Sequence, residues 1–265
     1  MLTSGCTLYR LALRYFDWVV VTETDSLFDL TNQQKAELKR LILTELPWIK
    51  QEIVRPIATG LLTFESKVES SPSVDDFIQL FSLAKEQRIY LVSRLGSHIA
   101  KQASTLSIDQ IIHAEKELKE KNEKWTDLLE LSDDKLYKKR RKKLISNLES
   151  WYGHLTDEQD ELVCDIFMCT RSHIEISLSW SQRSVDYFIE SLKEKRTKEI
   201  FITEVLRWSQ DGVVPPESTV HWREFSQKWP ERAWMFHTTT SPAQRKHFRQ
   251  KLEDIRGDLE WFVTR

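Results

Sequence analysis

The sequence predicts an all-α fold, an elongated bundle of about seven to nine amphipathic helices packed mostly antiparallel. Three observations carry that expectation. Six Gly and seven Pro stand among 265 residues, so these turn-forming residues make up about 5% of the chain where roughly 12% is usual. Charged residues supply 30% and hydrophobic residues 40%, the balance of long amphipathic helices joined by few connections. Four segments also carry one helix-start unit, a Thr or Ser followed three residues later by Gln.

That unit has a local physical meaning. The hydroxyl accepts from a free backbone N–H of the first turn, and the Gln side chain reaches back to the cap residue, so two orphan donors are satisfied together. It occurs as Leu30-Thr31-x-x-Gln34, Leu106-Ser107-x-x-Gln110, Leu155-Thr156-x-x-Gln159 and Thr240-Ser241-Pro242-x-Gln244, the last with Pro in the favoured first helical position. Spacings of 76, 49 and 85 are too uneven for a solenoid repeat.

Apolar spacing traces the helices between these starts. Leu38, Leu41, Ile42, Ile49 and Ile53 form one stripe, which Pro47 and Pro56 are expected to bend or break. Ser73 caps a long second stripe from Val74 to Ile99. A third runs from Ile108 to Leu129, and a fourth follows Ser132 through Leu144, Leu148 and Trp151. From Thr156 the pattern Leu162, Val163, Ile166, Phe167, Thr170, Ile174, Ser181, Val185, Phe188, Leu192 predicts a single helix of some 35 residues. Asp211-Gly212-Val-Val-Pro215-Pro216 is the clearest break, and Phe248, Leu252, Ile255, Leu259 and Phe262 mark a final helix suited to antiparallel docking.

The residues exclude several chemistries. The closest glycines, Gly60 and Gly96, are 36 apart, so no Gly-rich phosphate loop exists. The seven histidines never come closer than ten residues, and none has Glu three residues before it, which removes HExxH and the Glu-x-x-His signature of di-iron bundles. Cys164, Cys169 and His173 share one predicted helix, where an i, i+5 pair lies roughly 8 to 9 Å apart at Cα, beyond disulfide reach; two buried small apolar residues are expected instead. No metal and no cofactor is implied.

Two features stand out as candidate binding sites. Lys135, Lys138, Lys139, Arg140, Arg141, Lys142 and Lys143 place seven cations in nine residues. They form either a solvated helix face paired with acids such as Glu115, Glu117 and Glu120, or a patch for an anionic partner. Trp222, Phe225, Trp229, Trp234 and Phe236 crowd the segment after the double proline, as core or as an exposed aromatic patch. With 39 basic against 41 acidic residues, no global field recruits nucleic acid, and none is expected as a partner.

The amino terminus adds a likeness. Ser4-Gly5-Cys6, then Tyr9, Tyr15, Asp17-Trp18 with its valines, and Phe28-Asp29-Leu30-Thr31-x-x-Gln34 resemble an uncharacterised bacterial lipoprotein family, and Trp151 shortly before Leu155-Thr156-x-x-Gln159 extends the match. The Leu-Thr-x-x-Gln words are also similar to those of small periplasmic stress chaperones. The family likeness implies lipidation at Cys6, and Thr7 beside it implies outer-membrane sorting. The basic and apolar segments that precede such a cysteine in a signal peptide are not in the sequence.

These readings divide the chain into a lipid-anchor and N-terminal segment, 1–25, and a single helical domain, 26–265, with a subdivision near 211–217. The expected function is that of a non-enzymatic, lipid-anchored lipoprotein on the periplasmic side of the cell envelope, with a helical binding scaffold that is chaperone-like or binds an envelope polymer. Its partners are the bilayer, through acylated Cys6, and a protein client or an anionic envelope polymer held by the helical body. The alternative is an envelope enzyme of unrecognised type with a carboxylate and His pocket.

Overall fold

A computed structural model describes residues 10–167, 169–194, 198–211 and 227–265. The structure is 88% helical, with no strand among the described residues. Among the described residues there are eleven α-helices, more than the seven to nine expected, and one of the additional helices arises where the predicted 35-residue helix divides.

A helical turn over 10–14 leads into α1, Phe16–Phe28. α2, Asn32–Trp48, folds back on α1, and Lys35 and Lys39 reach Asp25 and Asp17 at 2.7 and 3.5 Å. The two early prolines do not break the helical path. Pro47 lies inside α2, a π-helical segment takes Ile49–Val54, and α3, Arg55–Val68, opens with Pro56 in its first turn. Arg55 N–H bonds the carbonyl of Lys50, five residues back, and this wider turn carries the chain into the proline without a break.

α4, Val74–Ser104, starts from Ser73 as expected, with Asp76 completing its capping box and accepting from Lys67. α5 spans Ile108–Leu129 and α6 spans Asp133–Tyr152. The predicted 35-residue helix is two helices, α7, Asp157–Phe167, and α8, Arg171–Lys193. Thr170 between them is extended, with φ −75° and ψ 154°, and acts as the N-cap residue of α8. α9, Lys198–Asp211, α10, Trp229–Thr238, and α11, Pro242–Thr264, complete the set. The break expected at Gly212 to Pro216 lies outside the described residues.

Two cores share α4. One gathers Phe64, Phe77, Tyr152, Phe167, Phe236 and Phe248 from α3, α4, α6, α7, α10 and α11. The other joins Ala100, Ile111, Ala114, Ile189, Leu192 and Phe201 from α4, α5, α8 and α9. Arg256 ties α11 to α3 by donating to both oxygens of buried Glu65, at 2.9 and 3.1 Å.

All four Gln boxes form, and they meet in pairs. Gln34 Oε1 accepts from the Thr31 N–H, and Gln110 Oε1 from the Ser107 N–H. Their amide nitrogens then donate to each other's Oε1 and to Thr105 O and Asp29 O, at the ends of the helices that precede the opposite box. Gln159 and Gln244 repeat the arrangement, with Thr239 O and His154 O in the corresponding places. Each amide thus uses both donors and both lone pairs while also satisfying orphan carbonyls at helix ends. Leu30, Leu106 and Leu155, each just before its cap, are buried beneath the clasps.

Candidate functional site

α6 sorts its seven cations by side-chain chemistry. At 100° per residue, Lys135, Lys138, Lys139, Lys142 and Lys143 fall within about 140° of the helix circumference, and all five are exposed. The two arginines turn toward the body. Arg140 is half-buried over the Trp125 indole, its guanidinium 5.2 Å from the ring centroid, and Arg141 pairs with Asp160 at 3.0 Å. A planar, weakly hydrated guanidinium suits such packed positions, whereas lysine ammonium groups stay in water.

Two of the three acids expected to neutralise this run, Glu115 and Glu120, are engaged elsewhere. Glu115 binds Lys119 and Lys193, and Glu120 lies beside Lys116. Lys138 meets Asp134 at 2.9 Å, both largely exposed. Lys135, Lys139, Lys142 and Lys143 have no carboxylate partner among the described residues. The result is an outward row of ammonium groups backed by Leu136, which is 1% exposed, and by the helix interior.

The α5–α6 corner that aims this face is held by Arg171 at the start of α8. Its guanidinium donates to Leu129 O at 2.6 Å and Leu131 O at 2.5 Å, and its Nε to Asp133 at 2.5 Å. One cation therefore satisfies carbonyls at the C-terminal end of α5 and places the first turn of α6.

The aromatic candidates separate. Trp222 and Phe225 lie outside the described residues. Phe236 is core at 1% exposure, and Trp234 donates from Nε1 to Pro72 O at 3.2 Å. Trp229, stacked on Phe167 and covered on one side by Arg232, keeps a partly exposed edge. The described part of this segment is thus mainly packing.

The cysteine expectation is corrected. Cys164 and Cys169 form a disulfide with Cα atoms 4.9 Å apart, because the chain leaves the helix after Phe167 and the helical spacing no longer applies. Both residues are buried, and His173 stands beside Thr170 rather than a thiolate. No group of three or more potential metal ligands comes together among the described residues.

Two polar grooves flank the first Gln clasp and α2. One, of about 490 Å³, is lined by Asp29, Thr31, Gln34, Glu37, Ser107 and Gln110. The other, of about 260 Å³, brings Glu37 and Glu45 near His98. Hydrogen bonding to the Gln33 amide holds the Glu37 carboxyl below its ordinary range, and Arg94 binds Glu45 at 3.1 Å. The Glu37 carboxylate is thereby favoured in its ionised form, poorly suited to general-acid work. A buried His237 sits deeper, with the Tyr152 hydroxyl 3.2 Å from its Nδ1.

Sequence reading located the basic run and the caps but missed the reciprocal amide pairs. The choice of Gln at the third helical position was the available signal, since Glu completes a capping box equally well but has no N–H to donate. No helix among the described residues is long and apolar enough to cross a membrane. Comparison with protein-family models, curated proteins and solved structures found no match to this chain.

Proposed function

We propose that this chain is a lipid-anchored protein of the bacterial cell envelope, on the periplasmic side of the outer membrane. It acts as a non-enzymatic helical scaffold that binds an anionic envelope polymer through the lysine face of α6. One observation carries the binding reading: Lys135, Lys139, Lys142 and Lys143 lie together, exposed, with no carboxylate among the described residues to neutralise them. Neighbours three and four apart on a helix are about 5 to 6 Å apart at Cβ, a spacing that suits successive anionic groups of a linear polymer. The Cys164–Cys169 disulfide supports an oxidising compartment, and the likeness around Cys6 supports the anchor.

Isolated peptidoglycan sacculi, which carry free peptide carboxylates, test the binding. The full chain with Cys6→Ser is expected to co-sediment with sacculi and to be released by salt. Combined Lys135→Ser, Lys139→Ser and Lys142→Ser replacement is expected to abolish most of that binding, and equal sedimentation of both proteins overturns the reading. Incorporation of radiolabelled palmitate, in cells expressing the chain from its native upstream start, tests the anchor separately. An unlabelled Cys6 removes it.

A further inference from the structure

The first described residues present an apolar face that the body leaves uncovered. Leu11, Tyr15 and Trp18 are 51%, 48% and 62% exposed, and Trp18 is the most exposed large hydrophobic side chain among the described residues. They follow one another at i, i+4 and i+7, with Tyr15, at φ −110° and ψ 36°, forming the joint between the 10–14 turn and α1. Main-chain hydrogen bonds bridge that joint, Tyr15 N–H bonding Leu11 O at 3.1 Å and Val19 N–H bonding Tyr15 O at 2.8 Å.

The opposite face is tied down. Phe16 packs on Phe262 at 5.8 Å between ring centroids, Asp17 meets Lys39, and Arg10 donates to buried Asp258. These contacts, spread over two turns, keep the segment from rolling its apolar side inward. The stripe is held outward. Arg14 flanks it, exposed, with its guanidinium 5.8 Å from the Tyr15 centroid.

We infer that Leu11, Tyr15 and Trp18 seat this end of the protein in the phospholipid headgroup layer. The inference rests on the anchor proposed above, since Leu11 is five residues from Cys6 and an extended link of that length reaches at most about 18 Å. An acyl chain in the bilayer thus holds the stripe within reach of the same leaflet. The residue types match that layer: Trp and Tyr rings favour the membrane interface, Leu adds apolar burial, and Arg14 faces lipid phosphates. The acyl group supplies attachment, and the stripe supplies orientation, laying the start of α1 along the surface.

The test uses the unacylated full chain, Cys6→Ser, with vesicles of phosphatidylethanolamine and phosphatidylglycerol. Sedimentation is expected to show partitioning that falls roughly tenfold or more in a Leu11→Ala, Tyr15→Ala, Trp18→Ala variant. An unchanged helical circular-dichroism spectrum shows that the variant still folds. Brominated lipid is expected to quench part of the tryptophan emission, and that part is expected to disappear in Trp18→Phe. Equal partitioning of parent and triple variant overturns the inference. So does a dimer that the triple variant dissolves while vesicles bind neither protein, because the stripe is then a self-association face. Vesicle binding that depends on the stripe in a chain whose Cys6 takes no palmitate removes the anchor and leaves the stripe. Labelled Cys6 with stripe-independent binding does the reverse.

Discussion

The side-chain amides of Gln34 and Gln110 face each other head to tail, each donating to the other's oxygen, at 3.2 and 2.8 Å. The two residues are 76 apart in the chain and buried, so this contact closes α2 onto α5 with no unsatisfied amide group.

Replacing Gln34 by Glu isolates the clasp from the cap. A carboxylate still accepts from the Thr31 N–H, but it cannot donate to Thr105 O or Gln110 Oε1. Leaving buried acceptors unmatched costs about 2 to 3 kcal/mol, expected as a fall of roughly 5 to 10 °C in Tm by calorimetry. The loss is expected to lessen on acidification, as the carboxyl regains a proton to donate. Gln159→Glu is expected to behave alike, and a Tm unchanged in both variants contradicts the structural role given to the clasps.

His237 makes stability depend on pH. Burial among Phe77, Tyr152 and Phe248 lowers its pKa from 6.5 to about 4. The Val68 carbonyl favours the protonated ring, but Nε2 makes no well-formed hydrogen bond and burial dominates. Between these two values the unfolded chain binds the proton and the folded one does not, so stability is full above about pH 6.5 and falls as pH drops toward 4, by about 3 kcal/mol. Urea midpoints at several pH values are expected to show a shallower slope for His237→Phe than for the parent protein.

Arg171 is expected to matter far more than its ion-pair partner. Asp133 is 83% exposed in its side chain, so Asp133→Ala is expected to cost under about 0.5 kcal/mol. Arg171→Ala removes the donors to Leu129 O and Leu131 O as well, at about 2 kcal/mol. Lysine at this position cannot present the same fork and is expected to restore only part of the loss. Chemical unfolding of the three variants gives the ranking.

The disulfide is open to direct counting. Protein isolated without reductant and unfolded in guanidinium is expected to show no reactive thiol at Cys164 or Cys169, and two after reduction, by mass-resolved alkylation. Closing so short a loop contributes about 2 kcal/mol on the chain-entropy account, expected as the loss on Cys164→Ser with Cys169→Ser.

The helix starts were legible because capping is local: Thr31, Ser73, Ser107, Thr156 and Ser241 each carry their partner three residues ahead. The helix break at Cys169 was not legible, because Val163, Ile166, Ile174 and Val185 keep helical spacing across it and nothing in that pattern signals the turn. The lysine face was half legible. Density identified the run, but which cations turn inward depended on Trp125 and Asp160, ten or more residues away along the chain.

By itself the sequence determined the all-α class, most helix starts and the absence of Gly-rich phosphate-loop and HExxH motifs, since composition, capping and spacing act within a few residues. Tertiary structure decided which Gln meets which and that two cysteines five apart are joined. It also decided that five lysines and the Leu11, Tyr15, Trp18 stripe face outward. Those outcomes depend on the packing of distant helices, whose partners are set by the burial of whole faces and not by any one segment.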